Sequence, residues 1–197
     1  MGSARPPNVI TVPGMREPTT ASPGRRTDLR LRPLRLEDEA VVRAGHEAMR
    51  ADRFPFALGL DEADTWEGYV GALERQSRGV DLPVGRVPAT FLVAEAGGEI
   101  VGRSSIRHEL NDFLRREGGH IGYGVLAAHR RRGYATEILR QSLVVARRVG
   151  VRDVLVICDE DNLGSRAVIE RCGGRFDAVV TSEAGAPLRH YWFEAGS

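Results

Sequence analysis

From Tyr134 to Val149, small and apolar residues recur at helical spacing. Ala135, Ile138, Leu139, Ser142, Leu143 and Ala146 share one stripe, and Gly150 closes the pattern. Before this helix, His120 to Leu126 reads as a strand. After it, Val154 to Cys158 is an unbroken apolar run, as expected of a strand buried on both faces. A strand, a loop, a long amphipathic helix and a buried strand in succession restrict the chain to a layered fold with the helix packed across a sheet.

The connecting loop is His129-Arg130-Arg131-Arg132-Gly133-Tyr134-Ala135-Thr136. A helix start carries unbonded N–H groups and the positive end of the dipole, which together attract anions such as pyrophosphate. Gly133 lets the backbone approach a ligand without a Cβ in the way, and Ala135 keeps the first turn small. Arg130, Arg131 and Arg132 add charge and bidentate phosphate donors. Taken alone, three arginines read as a solvated charge run; their place between strand and helix, with glycine at the needed offset, favours an anion site. The segment lacks the Gly-Lys-Ser/Thr ending of a nucleoside-triphosphate loop and is not a Gly-x-Gly-x-x-Gly pattern.

The rest of the chain extends the layered pattern. Residues 1–27, with Pro6, Pro7, Pro13, Pro18 and Pro23 and no periodicity, read as a disordered tail, and residues 28–197 as one domain. Leu29, Leu31 and Leu34 mark a half-buried strand. Acidic Glu37, Asp38 and Glu39 open a helix whose apolar face is read as Ala40, Val41, Ala44 and Ala48. A second helix is expected over 61–78. Between them Phe54-Pro55-Phe56 either lines a substrate site or plugs the core. Strands follow over 90–96 and 100–107, joined by the Gly97-Gly98 turn. Residues 108–117 read as a loop or short helix. Asn162 caps a helix that Gly173-Gly174 ends, and two last strands fall near 175–181 and 188–193. The order is strand, two helices, three strands, helix, strand, helix, two strands. It describes an α+β sandwich on a mixed sheet.

Charge excludes some functions. Lys plus Arg is 28 and Asp plus Glu 27, a net charge of +1, so no global field draws nucleic acid or an anionic membrane. The basic residues are all arginine, which makes any single arginine weak evidence. Cys158 and Cys172 sit inside regular structure, in neither a disulfide framework nor a metal-ligand spacing, and no metal is expected. With no apolar run of membrane-spanning length and no signal-peptide pattern, a cytoplasmic protein without a membrane partner is the expectation.

Arg130-Arg131-Arg132-Gly133-Tyr134-Ala135 resembles the Gln/Arg-x-x-Gly-x-Gly/Ala motif of the GNAT acetyltransferase superfamily. Gly122-Tyr123-Gly124-Val125 resembles its fourth strand and Val154 to Cys158 its fifth. Asn162-Leu163-Gly164-Ser165 and Ile169-Glu170-Arg171-Cys172-Gly173 resemble the segment after that. The likeness runs from about Leu29 to the C-terminus. Segments such as His108-Glu109-Leu110-Asn111 and Asp159-Glu160-Asp161-Asn162 are similar to an uncharacterised subgroup of predicted acetyltransferases.

The resemblance implies a three-layer sandwich. A mixed, mostly antiparallel sheet of about six to seven strands is flanked by about four helices, with the fourth and fifth strands splayed apart. Acetyl-CoA would be the acyl donor, its pantetheine lying in the gap. The backbone of Val125, Leu126 and Ala127 would hold the pantetheine, residues 130–136, from Arg130 to Thr136, the pyrophosphate, and Asn162 would reach in from the other side. Asn162 is also a plain helix cap, and both roles are compatible.

The chemistry implied is acetyl transfer to a primary amine of a small molecule by direct attack in a ternary complex. Protein or peptide N-acetylation is the alternative within enzymes, and a non-catalytic acyl-CoA-binding domain the alternative outside them. His120 is the candidate general base, or else a histidine bonded to neighbouring backbone. Relatives carry a tyrosine acid where this chain has Ile169, so Tyr123 is the candidate substitute, or else core. The N–H of Val125 is a candidate oxyanion donor. His108, Glu109, Asn111 and Asp159 are candidate acceptor-binding residues. The loop at 78–88 either covers or flanks the acceptor site. An open edge at the C-terminal strands permits a homodimer.

Overall fold

The structure, a computed structural model, describes residues 28–52 and 54–194; the tail expected over 1–27 lies outside the described residues. Among the described residues, seven strands and four α-helices follow one another as β1 (Arg30–Arg32), α1 (Glu39–Ala48), α2 (Trp66–Arg78), β2 (Ala89–Ala96), β3 (Glu99–Arg107), β4 (Ile121–Val125), α3 (Tyr134–Arg148), β5 (Val154–Asp159), α4 (Leu163–Arg171), β6 (Arg175–Thr181) and β7 (Pro187–Phe193). This matches the expected order and α+β class.

The strands form two antiparallel half-sheets, β1-β2-β3-β4 and β5-β7-β6. They meet at the start of β4. There the His120 N–H donates to the Leu155 carbonyl at 2.7 Å, while the Leu155 N–H donates to His120 Nδ1 at 2.9 Å. The two strands start side by side, and their far ends face each other across an open cleft, so they run parallel and diverge. Helix α3 spans the junction. Its Ser142 hydroxyl bonds Ser104 of β3 at 2.7 Å, and Leu139 and Leu143 join Ile106, Ile121, Val154, Val156 and Tyr191 in the main core. A second core, built on Val42, Phe56, Trp66 and Val93, fills the opposite face under α1 and α2.

Local chemistry explains where elements begin. Helix α2 starts at Trp66, later than the expected 61, because the Thr65 hydroxyl caps it by accepting the Gly68 N–H, and the Trp66 indole donates to the Leu36 carbonyl. Short β1 is held by half-buried Arg32, which pairs with both Asp38 and Glu95, themselves buried. Gln141 of α3 bonds the backbone of Leu29 and Leu31.

The apolar face expected on α1 is corrected. Ala40, Val41, Ala44 and Ala48 face solvent, while Val42, Gly45, His46 and Met49 are buried. These four also lie at helical spacing, and His46 Nδ1 accepts the Ala57 N–H at 3.0 Å, which satisfies a polar ring inside the core. Alanine is a helix former on either face, so it was a poor guide to the buried one.

Ile169 is fully buried in the main core. Ile169→Ala is expected to lower the free energy of unfolding by about 2–5 kcal/mol in urea denaturation.

Candidate active site

The cleft between the diverging ends of β4 and β5 has a volume of about 570 Å³ and is walled by Tyr123, Val125, Cys158, Asp159, Asn162 and Ser165, among others. In β4, alternate residues turn their backbone groups toward β3 and away from it. The Leu126 N–H is donated to Val101 at 3.0 Å, so Tyr123 and Val125 occupy the positions whose N–H and C=O point outward into the cleft. Leu126 is thereby corrected as a pantetheine contact. Its N–H is spent on Val101, and its carbonyl accepts the His129 N–H at 2.8 Å. The Val125 carbonyl accepts from Arg130 Nε at 3.2 Å, which ties the loop to the strand.

The loop after β4 is shaped as an anion cradle. Arg131 has φ 59° and Gly133 φ 83°, and this left-handed backbone turns successive N–H groups to one side. Helix α3 starts at Tyr134 with no side-chain cap, whereas Thr65 caps α2 and Asn162 caps α4 by accepting the Ser165 N–H. The first bond of α3 runs from the Glu137 N–H to the Gly133 carbonyl, so the N–H groups of Tyr134, Ala135 and Thr136 lack intrahelical acceptors. Arg131 and Arg132 are exposed at the same end, and Ala135 reaches the cleft wall. An uncapped helix start beside exposed outward-facing strand groups fits the pyrophosphate and amide chain of a CoA.

His120 lacks the geometry of a base. Its ring is buried, Nδ1 is occupied by the Leu155 N–H, and the residue lies outside the cleft wall. Burial first, then the charges of Arg115 and Arg107, pull its pKa down to about 4. With Nδ1 accepting, the neutral ring carries its proton on Nε2 and has no lone pair there to offer.

Tyr123 faces the cleft, and its buried hydroxyl has no well-formed hydrogen bond. Burial raises its pKa, offset in part by the neighbouring Ser165 hydroxyl, so the phenol stays protonated and able to donate. Ser165 was not singled out from sequence. It stands in the first turn of α4, the helix whose expected tyrosine position is taken by buried Ile169. Burial and then the carboxylate of Asp159 push the Cys158 thiol up to about 11, so it is not a ready nucleophile.

A second cavity, of about 840 Å³, is walled by α2, the 80–87 loop and one face of β2 and β3. Strands β3 and β4 put Arg103, Ser105 and Arg107 on this face opposite Gly124 and Gly122. A Cβ on Gly124 would stand 2.6 Å from the Phe54 ring, so only glycine lets that ring close on the strand. Phe56 fills the core, whereas Phe54 lines the donor cleft and Pro55 the second cavity. The loop from Val80 to Val87 forms part of the cavity wall.

The four expected acceptor residues are not brought together. Asn111 lines the second cavity and donates to the Gly85 carbonyl of the 80–87 loop at 2.9 Å. Asp159 lines the donor cleft instead. His108 bonds Thr90, Glu109 is exposed, and neither reaches either cavity. Among the described residues no cluster of His, Cys, Asp or Glu is arranged to hold a metal, and no helix is long and apolar enough to cross a membrane.

The family model described as an acetyltransferase (GNAT) domain matches residues 28–175, and the chain belongs to this family. No functionally curated protein matches it in sequence. Among solved structures it is similar to Mycobacterium smegmatis RimJ in complex with CoA-disulfide, at 25% identity and TM-score 0.65, over 85% of this chain and 82% of that one. It is also similar to RimL, a ribosomal L7/L12 alpha-N-protein acetyltransferase in complex with coenzyme A, at 17% identity and TM-score 0.63, over 86% and 97%. A third likeness is to yncA, a putative acetyltransferase from Salmonella typhimurium with its cofactor acetyl-CoA, at 18% identity and TM-score 0.58, over 86% and 95%. The protein is an acyl-CoA-dependent acetyltransferase, and acetyl-CoA is its donor.

Two outcomes test these assignments. Gly133→Glu puts a side chain and a negative charge into the cradle, and acetyl-CoA affinity by calorimetry should fall at least about tenfold. His120, with its folded pKa below the ordinary 6.5, is protonated first in the unfolded chain as pH falls. Its contribution to stability is therefore lost between pH 6.5 and about 4. Thermal melts of His120→Asn should show a flatter fall across that window than the parent protein.

Proposed function

We propose that the protein transfers the acetyl group of acetyl-CoA to a primary amine of a small molecule by direct attack within a ternary complex. The observation that carries this reading is a pair of separate cavities, one beside β4 with features that suit the donor and the other walled by β3, α2 and residues 80–87. Pockets of this size suit small molecules. Bound acetyl-CoA supplies the activated acyl group.

The chain's own groups then have separate tasks. The N–H groups of Tyr134, Ala135 and Thr136, with Arg131 and Arg132, hold the pyrophosphate. Val125 presents its outward N–H to the negative charge that develops on the acyl oxygen. The protonated Tyr123 hydroxyl, beside Ser165, donates to the departing sulfur, and the proton shed by the attacking nitrogen as the amide forms returns to the phenolate, directly or through water. The raised Cys158 pKa favours direct attack over an acyl-cysteine route. With His120 turned toward Leu155, the amine enters already neutral, aided by the positive charge of Arg103 behind β4, which disfavours an ammonium.

The second reading is acetylation of a protein N-terminus. It draws on the likeness to RimJ and to RimL, named for such an activity. The second cavity favours the small molecule.

Thiol release with a panel of small primary amines tests the proposal. Tyr123→Phe should lower kcat at least about tenfold with acetyl-CoA affinity unchanged, and Cys158→Ala should stay within about twofold of the parent. For a small amine, kcat/KM should climb with pH toward the amine's own pKa without a break near 6.5. A Tyr123→Phe enzyme at full rate would remove the assigned acid.

A further inference from the structure

The floor of the second cavity carries positive charge that the protein does not balance. Arg103 is buried, with its ring-facing side stacked 4.2 Å from the Phe54 centroid. Two of its nitrogens donate to backbone carbonyls, Gly122 at 2.9 Å and Pro55 at 2.8 Å, and its Nε has no partner. Arg107, four residues further along the same face, donates from one nitrogen to the Gly118 and Gly119 carbonyls at 3.2 and 3.5 Å. Among the described residues no carboxylate pairs with either guanidinium. The acidic residues on the cavity wall, Glu62, Asp64 and Asp81, are exposed at its mouth.

Both arginines feel this imbalance. Burial first, and then the charge of Arg107, pull Arg103 down to about 9, and burial with the charge of Arg86 lowers Arg107. At neutral pH both are still cations. A buried charge without a counter-ion is costly, and a chain that keeps two of them against one cavity has a use for the charge. The Tyr69 hydroxyl, also buried without a partner, lines the same cavity and is a further donor.

Position decides the use. A Cβ on Gly122 would lie 3.2 Å from an Arg107 nitrogen and 3.6 Å from an Arg103 nitrogen, so the two guanidiniums flank the bare face of that residue. Gly122 also lines the donor cleft. Gly122 is therefore the residue shared between the two arginines and the donor cleft. Extending the acetyl-transfer reading above, we propose that the acceptor is a small amine that also carries an oxyanion, a carboxylate or a phosphate, gripped by Arg107 with Arg103 behind it. The free donors of Arg107 bind the anion, and Arg103 supplies field from beneath. The amine, tethered a few bonds from the anion, is directed over the glycines of β4.

Matched acceptors test this at saturating acetyl-CoA. The proteinogenic amino acids are compared with their carboxamides, and O-phosphoethanolamine with ethanolamine. Binding is read separately by calorimetry with free CoA present. In at least one pair the anionic member should bind and react at least about tenfold better than its neutral partner, and which pair does so identifies carboxylate or phosphate. Arg107→Gln should raise KM for that acceptor about tenfold or more, with kcat within a few-fold and acetyl-CoA affinity unchanged, and Arg107→Lys should recover part of the loss. Neutral members equal to anionic ones, no binding of either anionic class, a preference for short peptide amides, or an unchanged KM in Arg107→Gln would each overturn the assignment while leaving acetyl transfer intact. A wild-type protein that does not bind acetyl-CoA would instead remove the reading on which it rests.

Discussion

Two hydrogen bonds between His120 and Leu155 hold the molecule's two half-sheets together, and the active site is a consequence of how few they are. One is an ordinary strand-to-strand bond. In the other an imidazole nitrogen takes the place of a carbonyl and accepts the Leu155 N–H. Beyond this point β4 and β5 separate, and helix α3 rather than strand pairing carries the load across the junction through Leu139, Leu143 and the Ser142–Ser104 bond. The outward backbone groups of Tyr123 and the N–H of Val125 are left facing an open cleft, where unmade hydrogen bonds are costly unless water or a ligand supplies them. An acyl donor with amides in its chain has the groups to do so.

The division of labour across β4 follows from the two-residue period of a strand. Tyr123 and Val125 point one way, toward α3, α4 and the donor. Gly122 and Gly124 point the other way, where they leave room for Phe54 and for the two arginines of β3. Replacing either glycine by a larger residue would fill the space between the cavities. A strand of five residues thus offers two different faces, because its alternate side chains are either bulky or absent.

Much of this was legible before the structure. Tyr134 to Arg148, the apolar strand at 154–159 and the Arg130 to Gly133 loop have strong local signals: period, length and a glycine at a helix start. The donor side of the site follows from them. The proposed acceptor side does not, because its residues come from α2, β3 and the 80–87 loop, and only tertiary packing brings them together. Arg103 and Arg107 stand four apart in a strand and so share a face, which is a detectable pattern. In a chain whose basic residues are all arginine, that pattern did not stand out. His120 shows the opposite case. Its residue type suggested acid–base work, and only the direction of Nδ1 reveals a structural acceptor. On α1, alanines at helical spacing imitated a buried stripe, while Val42, Gly45, His46 and Met49 formed the real one.

The missing cap on α3 has a thermodynamic side. Thr65 and Asn162 satisfy their helices from within the chain, but the start of α3 leaves that task to an outside anion. Any molecule that binds the folded chain and ignores the unfolded one adds to the folding free energy in proportion to the logarithm of its concentration. The donor's abundance therefore sets how often the central helix frays, and with it how readily a protease finds the chain open.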